Sequence, residues 1–145
     1  MDYKAILSQN GYRLSGPRKQ VVELLESADV ALSPQQIHHR LQQNNCALGL
    51  VSVYRTLGLL TELGLVTIVY DPQLNPGYML STIGHHHHIV CQNCHRAIEF
   101  SASNDIDHLV ERVKEQTSFL VSDHLLQLFG LCPDCQQTEP TGELS

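Results

Sequence analysis

Positive charge is scarce in this 145-residue chain: nine Lys and Arg stand against fifteen Asp and Glu, a formal net charge of −6. That balance argues against a broad basic surface of the kind that gathers on phosphate polymers regardless of sequence. No apolar run approaches the eighteen or so residues that cross a bilayer. The opening MDYKAILSQNG has neither the basic nor the apolar region of a secretory signal. Motifs of zinc catalysis are missing too: there is no H-E-x-x-H, and no H-x-E preceding a P-C-x-x-C. These absences point away from a membrane protein and from a zinc enzyme. They place the chain in a reducing cytoplasm, where paired cysteines are metal ligands more often than disulfides.

The charge that is present is unevenly spread. Residues 1–66 carry six basic and five acidic side chains, whereas residues 67–145 carry three and ten, and seven of the nine histidines lie in that acidic part. The first part is near neutral; the second is acidic, rich in His and Cys, and suits divalent cations better than phosphates.

Residues 1–82 have the pattern of a winged helix-turn-helix domain. Tyr3 to Asn10 is a short helical segment ending at Gly11. Ser15 is placed to cap a second helix with Pro17 just inside it and Val21, Val22, Leu24 and Leu25 as its buried face. Ser33-Pro34-Gln35-Gln36 carries the capping-box spacing of a third helix, with Ile37 and Leu41 inward. In LVSVYRTLGLLTELG, Val53, Leu57, Leu60 and the Leu63–Leu65 end make an apolar stripe, and Gly64 is placed to terminate the helix. Ser52, Arg55 and Thr56 are assigned to another face. The runs LVTIVYD and GYMLST, either side of Pro-Gln-Leu-Asn-Pro, form a two-stranded wing. The fourth helix would then enter a major groove, with Arg55 on a base or phosphate, Ser52 and Thr56 on phosphates, and Tyr54 against the backbone. Arg18 completes the expected DNA-contacting set.

The second part carries two C-x-x-C knuckles, Cys91/Cys94 and Cys132/Cys135, separated by 37 residues. Four thiolates are the tetrahedral set of structural zinc, with no position left open for catalysis. Cys46 stands alone and reads as a small, half-buried packing residue. Ahead of the first knuckle runs His85-His86-His87-His88-Ile89-Val90, which reads as a strand. Alternation sends His85 and His87 to one face and His86 and His88 to the other, so one run offers two H-x-H pairs to two different sites. Further ligands would come from Glu99, from Asp105, Asp107, His108 or Glu111 on an amphipathic helix over 103–117, and from His124 in an expected strand SFLVSDHLLQLFGLC.

HHHHIVCQNCHRAIEF, SDHLLQLFGLCPDC, RLSGPRKQVVELL and LVSVYRTLGLLTELGLV together resemble the ferric uptake regulator family over nearly the whole chain. The resemblance implies an α+β protein: an N-terminal winged helix-turn-helix domain (1–82), a small α/β metal-binding dimerisation domain (83–136) and a flexible tail (137–145). It implies a homodimeric, metal-dependent repressor that clamps a pseudo-palindromic double-stranded DNA operator. Cys91, Cys94, Cys132 and Cys135 match the family's structural zinc site. His85, His87 and His124 match its dimerisation-domain site, with Asp107, seventeen residues before His124, as the acidic ligand and Asp105 as the alternative. His86, His88 and Glu99 match the regulatory site; Tyr54 and Arg55 match the recognition-helix pair.

The chain also departs from that pattern. Where iron and peroxide sensors bring a histidine from before the third helix, it has Val30-Ala31. Where they bring an acid, it has Met79 and Leu80, and the cysteine of many zinc sensors near Leu80 is absent as well. Asp71 in the wing is a candidate fourth group. Two imidazoles and one carboxylate favour Zn²⁺ over Fe²⁺ as the second metal, and His87, where iron sensors often have Asp, leans the same way. An iron- or peroxide-responsive regulator is the alternative within the family. A zinc-stabilised storage or interaction protein without DNA binding is the alternative outside it.

Overall fold

A computed structural model describes residues 2–81, 84, 86–101 and 104–138, the side chains of Asn104 and Asp105 excepted. Four helices come first: α1 (Tyr3–Gln9), α2 (Gly16–Glu26), α3 (Pro34–Gln43) and α4 (Leu50–Glu62). Their boundaries follow local chemistry. The capping box of α3 is complete, with Gln36 N–H donating to Ser33 Oγ at 3.1 Å and Ser33 N–H donating to Gln36 Oε1 at 2.8 Å. Ser15 occupies the N-cap of α2, with Pro17 in the first turn, but its hydroxyl makes no capping bond.

The ends of α1, α3 and α4 share one device. After α4, Gly64 N–H reaches Thr61 O at 3.0 Å and Leu65 N–H reaches Leu60 O at 2.9 Å, with Gly64 at φ 69°. This is a Schellman turn, which satisfies the last carbonyls and requires a left-handed residue. Asn45, at φ 59°, serves the same purpose after α3.

The buried faces of the four helices converge on one core. Leu7, Val21, Leu25, Ile37, Val53, Leu57, Leu60 and Leu65 are its centre, each buried Leu or Ile contributing roughly 1.5–3 kcal/mol. Thr56 corrects the sequence reading: at 5% exposure it lies in the core and not toward a phosphate. Positions 53, 56, 57 and 60 are one helical stripe by spacing, and the hydroxyl of Thr56 does not alter the face its Cα occupies.

The antiparallel wing joins β1 (Val66–Tyr70) to β2 (Pro76–Leu80), with Val66 opposite Leu80 and Tyr70 opposite Pro76. Asp71 closes its turn. One carboxylate oxygen accepts from Gln73 N–H at 2.9 Å and Asn75 N–H at 2.8 Å, and the other from Asn75 Nδ2 at 3.0 Å. These bonds hold the Asp71 carboxyl below its usual range. They commit to the turn the group that was a candidate fourth metal ligand.

The C-terminal part contains β3 (His87–Cys91), β4 (Ala97–Phe100), α5 (Asn104–Thr117), β5 (Gln127–Gly130) and α6 (Pro133–Thr138). The sheet order is β4-β3-β5, antiparallel for β3 with β4 and parallel for β3 with β5. The crossover through β4 and α5 is what a parallel pair demands, and it explains the long gap between the two thiol knuckles. Two expectations are corrected here. The alternating run after α5 does not form one strand through His124: residues 118–126 lie outside any strand, and only Gln127–Gly130 pairs with β3. Alternation supplies an amphipathic face, but a strand also needs a neighbour for its backbone, and β3 is only five residues long. Gln137 and Thr138, expected in the tail, belong to α6. Thr82 and Ile83 at the expected domain boundary, and residues 139–145 of that tail, lie outside the described residues.

Candidate metal centres and nucleic-acid interface

The parallel pairing of β3 with β5 sets Cys91 opposite Gly130, and Gln92 N–H donates to Gly130 O at 2.7 Å. This brings Cys132 and Cys135, at the entry to α6, against Cys91 and Cys94. The four Sγ atoms all lie within 4.8 Å of one another, and Cys94 Sγ is 3.7 Å from Cys132 Sγ. A tetrahedron with metal–sulfur bonds of about 2.3 Å has edges of about 3.8 Å, so this separation suits four thiolates on one small divalent ion. Cys91, Cys132 and Cys135 are buried and Cys94 is exposed. Cys132 N–H donates to Cys91 Sγ at 3.4 Å, Cys135 N–H to Cys132 Sγ at 3.5 Å, and Asn93 Nδ2 to Cys135 Sγ at 3.4 Å.

The thiols divide sharply in acidity. Burial raises Cys91, but N–H donation from Cys132, Cys94 and Asn93 outweighs it and brings the thiol down to about 6. The Asn93 amide favours a thiolate at Cys135, yet the bond with Cys132, burial and the neighbouring Cys91 and Cys94 together push it up to about 12. Four clustered sulfurs cannot all ionise on hydrogen bonds alone. A soft divalent cation that requires every thiolate would supply the missing charge, and structural zinc fits this donor set. With four sulfurs bound it would keep no open position.

Strand alternation sorts the histidines as the sequence suggests, with His85 outside the described residues. His88 lies opposite Glu99, and His86 Nδ1 is 3.1 Å from Glu99 Oε1. His86, His88 and Glu99 therefore share one face of the sheet. Val90, two residues on from His88, packs in a buried cluster with Val69, Ala97, Ala31 and Met79, so this face is turned toward the wing. On the opposite face the His87 ring lies 5.8 Å from that of Phe100 and 5.3 Å from that of His124. Both His87 and His88 are buried.

The structure thus brings His87 to His124, and His86 and His88 to Glu99. Neither group converges as the thiols do: among the described residues only the four cysteines draw three or more ligand atoms within 4.8 Å. Asp107 is exposed on α5, and the side chain of Asp105 is not among those described.

Burial lowers the His88 pKa from its ordinary value; Glu99 opposes that effect, and His86 and His87 add to it. The folded chain therefore holds His88 neutral, as a metal ligand must be, and binds fewer protons there than the unfolded chain does. The stability contributed by a neutral His88 is present in full above about pH 6.5 and is lost as pH falls below it. Thermal unfolding of the chain should show a stability loss as pH falls below about 6.5 that His88→Gln reduces; parallel curves for the two proteins would contradict this.

On α4, Tyr54 is 46% exposed and accepts a hydrogen bond from Gln35 Nε2 at 3.0 Å, tying the helix to α3. Arg55 is exposed and forms no ion pair among the described residues, while Ser52 is half-buried. Arg18 donates from Nη1 to Arg13 O at 2.6 Å and lies 5.8 Å from the centroid of the Tyr12 ring. Of the five expected DNA-contacting residues, Thr56 alone is turned inward.

Sequence reasoning missed Asp29, Arg96 and Gln127, which join the two halves. The Arg96 guanidinium bridges Asp134 (2.8 Å) and Asp29 (3.7 Å), and Gln127 exchanges two hydrogen bonds with the Tyr70 backbone. Gln127 is 57 residues from its partner, and nothing in its local sequence announces the pairing.

Residues 9–129 match the ferric uptake regulator family. The ferric uptake regulation protein of Campylobacter jejuni subsp. jejuni is 32% identical over 139 residues, covering 92% of this chain and 85% of that protein. Among solved structures, the Helicobacter pylori ferric uptake regulator, reported with three functional metal-binding sites, is 30% identical, with a TM-score of 0.63 over 92% of this chain and 89% of that one. A zinc uptake regulator complexed with zinc and DNA shares the fold, with a TM-score of 0.76 at 22% identity over 92% of this chain and 90% of that one.

Proposed function

The chain belongs to the ferric uptake regulator family, whose members are metal-responsive transcription regulators and not enzymes, and we propose that it is a zinc-sensing, cytoplasmic repressor of metal-uptake and homeostasis genes. On this reading Cys91, Cys94, Cys132 and Cys135 hold a structural Zn²⁺. A second divalent ion binds at His86, His88 and Glu99 and regulates, and His85, His87, Asp107 and His124 form the dimerisation-domain site. A homodimer presents Arg18, Ser52, Tyr54 and Arg55 of each copy to a pseudo-palindromic DNA operator.

The observation that carries this reading is the position of His86 and His88. They stand beside Glu99 on the sheet face turned toward the wing. An ion bound there acts on the placement of the DNA-binding half, and it regulates only through its differential affinity for DNA-competent and incompetent arrangements. The preference for zinc follows from a donor set of two imidazoles and one carboxylate. A homodimer agrees with the uncovered apolar side chains of α5 and of residues 118–126 and with the few basic groups each copy offers DNA. No helix among the described residues is long and apolar enough to cross a membrane. Iron is the second reading, favoured by the curated relatives named as ferric uptake regulation proteins.

The deciding experiment is metal analysis of protein purified without chelator, joined to operator titrations with Zn²⁺ and, anaerobically, with Fe²⁺. Tighter operator binding with Zn²⁺ at lower free metal supports zinc; the reverse order supports iron. In the same titrations Arg55→Ala should weaken binding by about fivefold to 150-fold, the cost of about 1–3 kcal/mol for a lost base contact. An unchanged affinity would place α4 outside the groove and favour a protein without a DNA function.

A further inference from the structure

We infer that Val51 is a specificity-determining residue of the DNA contact: its side chain packs on the C5-methyl group of a thymine, on a helix face that Gly58 leaves flat enough to come close. The inference rests on the DNA-binding reading and deepens it.

The face is defined by the core on the other side of α4. Val53, Thr56, Leu57 and Leu60 are buried. Val51, Tyr54, Arg55, Gly58 and Glu62 are exposed, and at 3.6 residues per turn they lie on the opposite side of the helix. Val51 is 64% exposed and belongs to the first turn of α4, the part of a recognition helix that reaches base edges. Tyr54, the other large apolar group of this face, is held through its hydroxyl by Gln35 Nε2 of α3 at 3.0 Å. Glu62, at the far end, carries a charge that phosphates repel, so the contact runs along the first two turns.

The groups that base edges present in the major groove are hydrogen-bond donors and acceptors, with the thymine methyl as the apolar mark. An isopropyl side chain donates and accepts nothing, so thymine is the base it favours. The residue choices along the face agree with a partner pressed against it. Valine and glycine are both poorer helix formers than alanine, glycine by the larger margin, and at exposed helix positions such propensity is what ordinarily decides the residue. A Cβ on Gly58 would meet no described atom within 4 Å beyond its own helix backbone. Packing inside the chain therefore requires neither residue. A surface in van der Waals contact from outside accounts for both: it meets a branched apolar group at position 51 and needs room at position 58, one helical repeat further on.

The test uses a double-stranded DNA duplex selected from a random pool by the metal-loaded, full-length protein, with its thymines then replaced one position at a time by deoxyuridine. Deoxyuridine lacks only the C5-methyl group and keeps the base pair. At one position of each half-site the parent protein should lose about fourfold in affinity, and about fifteenfold when both halves are replaced, the value of one buried carbon at each. In Val51→Ala, which favours the helix more than valine does and so keeps the fold, the same replacement should change affinity by less than about twofold. A loss as large in the variant as in the parent gives the methyl group to another side chain and overturns the assignment. A parent protein indifferent to deoxyuridine at every thymine overturns it as well. Gly58→Ala tests the close approach separately. Its melting temperature should rise by about 2–4 °C, while its affinity for the unmodified duplex should fall at least about fivefold. A variant that gains stability and keeps its affinity shows that the face stands clear of the groove. Arg55→Ala on the same duplex checks the DNA-binding reading by itself: weakened binding there without methyl dependence at Val51 sinks this inference alone, and a pool that enriches no sequence sinks both.

Discussion

Cys91→Ser should deprive the chain of the structural Zn²⁺ proposed at its four thiols, and the C-terminal sheet of its fold. Cys91 is buried at the end of β3, accepts the Cys132 N–H at 3.4 Å, and sits opposite Gly130 in the parallel pair that closes the crossover. Structural zinc sites contribute roughly 10–16 kcal/mol, as much as the whole net stability of a typical domain, about 5–15 kcal/mol. A sheet of three strands, none longer than five residues, has beyond the thiol site only its small apolar cluster with the wing and a few polar contacts to hold it. Metal analysis should find the thiol-bound zinc lost, and sedimentation should find monomer or aggregate. The α1–α4 core, which contains no residue of that sheet, should keep its helical circular dichroism. A stable dimer with undiminished zinc would remove the structural role from these cysteines.

The second large effect is expected at Leu120. Phe119 is 75% exposed and Leu120 93%, in a stretch whose alternation promises a strand but which pairs with no strand among the described residues. A second copy would supply both the apolar cover and the backbone partner. Leu120→Asp exchanges a side chain worth roughly 1.5–3 kcal/mol on burial for a carboxylate that an apolar interface cannot accommodate. The dissociation constant of the proposed homodimer should rise by at least about a hundredfold, and operator affinity should fall with it, since a monomer would span only one half of a pseudo-palindromic site. Analytical ultracentrifugation of the variant decides the matter: a dimer as tight as the parent would place the interface elsewhere.

The contrast between Leu120 and Leu57 shows what was legible in advance. Leu57 sits in a stripe repeated every three to four residues and closes on a core made by its sequence neighbours. Helix ends were equally readable, because Ser33, Gln36 and Gly64 act on backbone groups within a few positions. The thiol knuckles announced themselves by spacing. Thr56 has a hydroxyl that suggests an exposed contact, but its angular position on the helix, shared with Val53, Leu57 and Leu60, turns it inward. The run through His124 alternates without forming a strand, because alternation records which face is apolar, whereas pairing depends on a partner that local sequence does not name. The junction at Asp29, Arg96 and Gln127 was invisible for the same reason: its bonds join residues brought together only after both halves have folded.

The four-histidine run has a consequence of its own. Sliding β3 by one residue against its neighbours would reverse its faces, yet an imidazole would replace an imidazole at most positions of the run, so the histidines cannot define their own alignment. That information lies at the other end of the strand, where Val90 must meet Ala97 and Cys91 must meet the second thiol knuckle. The cysteine cluster is thus the index mark of the sheet: it determines which imidazoles look toward the wing and which look away.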